Sequence, residues 1–200
     1  KRNREVDKME KMLFLDACIS THQSRTKKLC TAYIDAFREK HPDTALETVM
    51  LRKGRVEPLT RERIAERDEY IRRKDWNQPM FDFARQFKEA DYIVVGTPYW
   101  DLSFASILKV YIENIMVADL TFETTSAGFN GLCQGKKLIY ITTAGGFIGD
   151  KNFGYDYMCG IADMLGIPDT ELVKAECLDI VGFDADKIVE KAIEEIRERF

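Results

Sequence analysis

The chain has 200 residues, with 30 Lys and Arg against 34 Asp and Glu, a formal charge of −4. That length buries one sizeable core, and a pI near 5.4 argues against a nucleic-acid binder, which usually carries a basic excess. Hydrophobic residues make up 45%, which fits a folded chain, and no apolar run approaches the ~18 residues of a membrane span.

In chain order, Lys1–Lys11 is a charged lead-in without the apolar core of a secretory signal. The rest, residues 12–200, reads as one domain. Apolar runs of strand length occur at Met12–Ala17, Leu46–Leu51, Tyr92–Thr97, Leu138–Thr143 and Leu172–Asp179. Several are apolar at consecutive positions, as in a parallel strand covered on both faces. Helical spacing marks Ser24–Lys40, Arg61–Lys74, Gln78–Glu89, Ser103–Met116 and a last helix through Ile188 and Ile196, with Asp184 as its N-cap. Leu120–Lys136, with Gly128, Gly131 and Gly135, reads as a loop or hairpin excursion. The sum is β-α five times with one extra helical stretch: an α/β sheet with helices on both faces. The two segments outside the repeat are Val56–Pro79 and Leu120–Lys136.

Five cysteines, an odd count without CxxC, and only His22 and His41 as imidazoles predict neither a zinc site nor a disulfide framework. This is the pattern of a reduced, cytoplasmic protein. Cys30, Cys133, Cys159 and Cys177 read as packing residues; Cys18 falls beside a candidate ligand loop.

Ligands of an open parallel sheet bind at the carboxyl ends of its strands. The first such loop, Cys18–Thr26, has no glycine, which excludes both GxGxxG and the P-loop. It does carry Ser20, Thr21, Ser24 and Thr26, with Arg25, at a helix N-terminus, where free N–H groups and the helix dipole attract anions. Ser24 reads equally as an ordinary N-cap, and His22 as a loop residue. The second loop, Thr97–Ser103, holds Tyr99, Trp100 and Leu102, aromatic and apolar surface suited to covering something flat; Asp101 or Ser103 reads also as a cap of the next helix. The third, Thr142–Gly149, holds Gly145 and Gly146, where backbone can approach a ligand closely, or simply turn. A phosphate cradle, an aromatic wall and a glycine-backed edge at one end of one sheet suit a phosphorylated planar cofactor. Without GxGxxG, flavin mononucleotide (FMN) fits better than a dinucleotide.

These loops resemble those of the FMN-dependent NADH azoreductases and their relatives, the NAD(P)H:quinone oxidoreductases. The family's Ser-x-Ser matches Ser24-Arg25-Thr26, and an earlier loop serine falls on Cys18. Its Pro-Met-Tyr/Trp-Asn-Phe matches Pro98-Tyr99-Trp100-Asp101-Leu102, and its Leu-Lys-x-Tyr/Trp-Ile-Asp matches Leu108–Glu113. Its Thr-Phe…Gly-Leu…Gly-Lys-Lys resembles Thr121 to Lys137, and its Ser-Arg-Gly-Gly falls on Thr143-Ala144-Gly145-Gly146.

The resemblance implies a flavodoxin-like three-layer sandwich with a five-stranded parallel sheet in the order 2-1-3-4-5. It implies FMN phosphate at Ser24, Arg25 and Thr26 near Cys18, and the flavin ring against Pro98, Tyr99, Trp100, Asp101, Leu102, Thr143, Ala144, Gly145 and Gly146. It also implies a homodimer, with Phe122 reaching toward the partner's flavin site. The implied activity is two-step hydride transfer, from NADH or NADPH to the flavin and then to a quinone or azo acceptor, with no acid–base dyad and no metal. Asp101 stands where the family has Asn, Tyr99 where it has Met and Ala144 where it has Arg. An ionised carboxylate close to the ring disfavours a negatively charged reduced flavin and lowers its potential.

Two other activities share this architecture. A flavodoxin-type carrier or FMN-binding regulator shares the phosphate loop without turnover. A low-molecular-weight phosphatase needs Cys-x5-Arg, and Cys18 to Arg25 is one residue too long.

Overall fold

The computed structural model describes residues 9–20, 24–54 and 56–200. The expected lead-in lies outside the described residues up to position 8, as do Thr21 and His22. The parallel strands are β1 (Lys11–Asp16), β2 (Ala45–Met50), β3 (Tyr92–Trp100), β7 (Lys137–Thr143) and β8 (Asp169–Ala175), ordered β2-β1-β3-β7-β8. Two short strands, β5 (Phe122–Thr125) and β6 (Gly128–Gly131), form a separate antiparallel hairpin, and β4 (Ser103–Phe104) folds back on the end of β3. Counting the parallel strands in sequence, the order is the expected 2-1-3-4-5.

Alternate side chains of the central strands feed two cores. Leu13, Leu15, Ile93, Val95, Leu138 and Tyr140 face α3 (Asp82–Glu89), α4 (Ser106–Ile115) and α5 (Phe153–Leu165). Met12, Phe14, Val94, Ile139 and Ile141 face α1 (Arg25–Lys40) and α6 (Ala185–Arg197). This explains the consecutive apolar residues: a strand covered on both faces has no solvent side to mark with polar positions. β2 is the exception. At the edge of the sheet it pairs with β1, and Leu46, Glu47 and Thr48 are exposed, so burial on both faces does not account for its apolar residues.

Several boundaries differ from the sequence expectation. β1 begins at Lys11, inside the expected lead-in. The last strand stops at Ala175, and the apolar residues after it belong to a loop that returns along the end of β7: the N–H groups of Cys177, Leu178 and Asp179 donate to the carbonyls of Gly146, Ala144 and Gly145 at 2.9, 3.2 and 2.9 Å. Gln78–Glu89 opens as a 3-10 turn at Pro79–Phe81 before α3. α2 (Arg61–Arg73) buries none of its residues fully, and holds on through Tyr70 and Ile71 against the α3 side, with the Tyr70 ring edge-on to Phe81. α5 supplies the helix that the repeat requires between the last two parallel strands. Asp184 caps α6 as expected, accepting from Lys187 N–H at 3.1 Å. Among the described residues, no helix is long and apolar enough to cross a membrane.

Candidate flavin site

The three expected loops converge at the carboxyl ends of β1, β3 and β7. Ser24 caps α1: its Oγ accepts from Lys27 N–H at 3.2 Å. The N–H groups of Arg25 and Thr26 lie in the first turn, where a helix offers them no carbonyl four residues back. Thr26 is buried, and its hydroxyl meets that of Thr143 at 2.6 Å. One hydroxyl pair thus joins the first loop to the third. Arg25 reaches across the same junction and donates to Asp179 at 2.8 Å. Asp179 lies over Gly145, where a Cβ would come within 2.3 Å of its carboxylate, the end of an exposed side chain. Gly146 faces open space, with nothing within 4 Å of where its Cβ would sit.

Cys18, just past β1, is buried, and its thiol points to the Gly96 carbonyl at 3.8 Å. Burial is the main cause that pushes the thiol up to about 11, with the Asp16 carboxylate adding and the Ser24 hydroxyl opposing. The thiol therefore stays protonated at neutral pH. We expect Cys18 to resist alkylation by iodoacetamide at pH 8 in the folded protein and to react once unfolded, as read by peptide mass spectrometry; rapid labelling of native Cys18 contradicts this placement.

The second loop is a β-hairpin. β3 continues through Trp100, which pairs with Ser103, while Tyr99 pairs with Phe104. The two linking residues, Asp101 and Leu102, have φ of 48° and 68°. Positive φ at both positions is what a type I′ turn demands, and the left-handed region costs roughly 1–2 kcal/mol per residue outside glycine. Trp100 and Leu102 are about half exposed at the turn. Neither Asp101 nor Ser103 caps the next helix: α4 starts at Ser106 behind Ala105, with no side-chain cap. Pro98 lies opposite Thr143 in the β3–β7 register, and Tyr99 donates to the Lys151 carbonyl at 2.9 Å. Ala144 is buried, its N–H donating to Ala175. Phe147 (70% exposed) and Phe183 stand edge to face beyond the glycines, with centroids 6.3 Å apart.

Phe122 sits apart from these loops, half-buried in β5 with its ring edge-on to Phe129. Among the described residues, no group of three or more His, Cys, Asp or Glu could hold a metal ion. The sequence offers no motif for Arg52 and Lys27, which both donate to Asp16 beside the first loop, or for Asp179, which accepts from Arg25. Asp16 and Asp179 end or follow apolar strands, and a charge at such a position in a buried run was the available signal.

A family model described as flavodoxin-like fold matches residues 10–200. An FMN-dependent NADH:quinone oxidoreductase 2 of Clostridium acetobutylicum is 36% identical over 198 residues, covering 96% of this chain and 98% of that protein. The chain belongs to the FMN-dependent NADH:quinone oxidoreductase family. Another family member, from Caldicellulosiruptor saccharolyticus, is 34% identical over 201 residues, covering 96% of this chain and all of that protein. The fold of the family is shared with solved azoreductases of Bacillus anthracis. One aligns with a TM-score of 0.84 at 24% identity, covering 96% of this chain and 98% of that one. A second, an FMN-dependent NADH-azoreductase in complex with FMN, aligns with a TM-score of 0.81 at 22% identity, covering 96% and 97%.

Proposed function

We propose that the protein is an FMN-dependent NADH:quinone oxidoreductase. The observation that carries this reading is the likeness to named quinone oxidoreductases over nearly the whole of both chains, together with the convergence of three loops at one end of the sheet. The residues present fit a flat phosphorylated group: a capped helix N-terminus, an open glycine at position 146, and Trp100 and Leu102 held out by a strained turn.

In this reading the N–H groups of Arg25 and Thr26, with Ser24 and the Arg25 guanidinium, hold the phosphate. Pro98 to Leu102 form one wall of the ring site, and Thr143 to Gly146 form the other. Bound FMN supplies a carrier that accepts and then passes on a hydride. The chain's part is to seat that group, shield it from water and leave one face open to nicotinamide and acceptor in turn. Azo compounds are a second acceptor class. The assembly is a homodimer in which Phe122 and the exposed Phe129 approach the partner subunit; a single-chain mass in sedimentation contradicts it.

Purified protein should be yellow or become so with added FMN, and should oxidise NADH with menadione as acceptor. Failure to take up FMN overturns the reading, while uptake without NADH oxidation makes the protein a carrier. Asp101→Asn should raise the potential of the bound flavin, because it removes a negative charge beside the ring. Redox titration against dyes of known potential checks this, and equal potentials contradict it.

A further inference from the structure

Between the end of β1 and the start of α1 lies a charged cluster that the proposed flavin contacts do not use. Asp16, the last residue of β1, is fully buried. Its Oδ2 accepts from Arg52 Nη1 at 2.8 Å and from Lys27 Nζ at 3.1 Å, and its Oδ1 accepts from Cys18 N–H at 3.1 Å. Arg52, just past β2, also donates to the Cys18 carbonyl at 3.5 Å. The N–H and the C=O of the first loop residue are thus both held. Lys27 is held at both its ends, its N–H by the Ser24 cap and its ammonium by Asp16. One carboxylate therefore anchors where the loop leaves β1 and where it enters α1.

Two cations on one carboxylate also leave a net positive charge beside the start of α1, where the proposed phosphate would sit. A buried ionic cluster is weak evidence for stability in itself, since desolvation offsets much of the attraction. Its placement beside the start of α1 gives it a use. We infer that Asp16, Arg52 and Lys27 are positioning residues for the FMN phosphate, presetting the N–H groups of Arg25 and Thr26 at the start of α1 and biasing the site toward a doubly charged anion. This rests on the flavin reading above.

The test compares FMN with riboflavin, which has the ring but no phosphate. Flavin-stripped wild type, Arg52→Met, the double variant Asp16→Asn/Arg52→Met, and Arg52→Lys are titrated with each by fluorescence quenching. The double variant removes the carboxylate that Arg52→Met leaves less well paired, so the measurement stands if the single variant folds poorly. Arg52→Met and the double variant should bind FMN about tenfold more weakly, as for loss of a charge-assisted contact. Riboflavin affinity should change by less than about twofold, and Arg52→Lys should recover part of the loss. Equal weakening for both flavins, or unchanged FMN affinity, overturns the inference. Wild type that binds neither flavin overturns the flavin reading itself, a failure visible before any variant is compared.

Discussion

Gly131→Ala should destabilise the protein by about 2–4 kcal/mol, lowering the melting temperature by roughly 5–15 °C. Gly131 ends β6, and its Cα lies on the turn that closes α5. A Cβ there would stand 2.0 Å from the Leu165 carbonyl carbon and 2.1 Å from the Gly166 nitrogen. Both are backbone atoms of a closed helix end: Gly166 has φ of 84° and its N–H bonds to Asp163 at 3.1 Å. No side chain can swing away, so the hairpin must lift by more than an ångström. Lifting breaks the Cys133 N–H bond to Leu165 at 3.2 Å and strains that of Leu132 to Thr121 at 2.9 Å. Gly160→Ala provides the opposite sign. Gly160 is exposed inside α5 with nothing within 4 Å, so alanine should stabilise by about 0.5–1 kcal/mol through helix propensity. Thermal melts of both variants check the pair; equal and small shifts contradict the packing described.

Asp16→Ala should cost about 3–5 kcal/mol near neutral pH, because it strips the partner from a largely buried guanidinium and an acceptor from the Cys18 N–H. The loss should depend on pH. Burial alone would raise the Asp16 pKa, but donation from Arg52, Lys27 and the Cys18 N–H outweighs it and holds the carboxyl below its usual value of 3.8. A carboxyl depressed in the folded state contributes its stabilisation fully above its unfolded pKa and loses it as pH falls through the folded one. The gap between wild type and Asp16→Ala should therefore be widest above about pH 5 and shrink steadily toward acid. Urea denaturation at pH 7, 5, 4 and 3 measures it, and a gap independent of pH contradicts the ionised, donor-held carboxylate.

The sheet was legible because its central strands are covered on both faces, so Met12 to Leu15 and Ile93 to Val95 are apolar without a break. The same rule misplaced the end of the last strand. Leu178 is apolar because it packs on the α1–α6 side from a loop, not because it continues the ladder. The β3–β4 hairpin was hidden because its turn residues are Asp101 and Leu102, where Asn-Gly or Asp-Gly would have announced a type I′ turn. The loops of the candidate site were found by their position after strands and by a family resemblance. What sequence did not reveal were links made across the fold: Arg52 to Asp16 over 36 residues, and Arg25 to Asp179 over 154. Such pairs exist only once the strand order brings their loops together.

The Thr26–Thr143 hydroxyl pair ties the start of α1 to the end of β7 across a buried junction. On the proposed flavin reading, the residues for the anionic tail and those for the flat ring are therefore joined to each other directly at this contact. On that reading, a ligand fragment that occupies one part should leave the other in place for its missing piece.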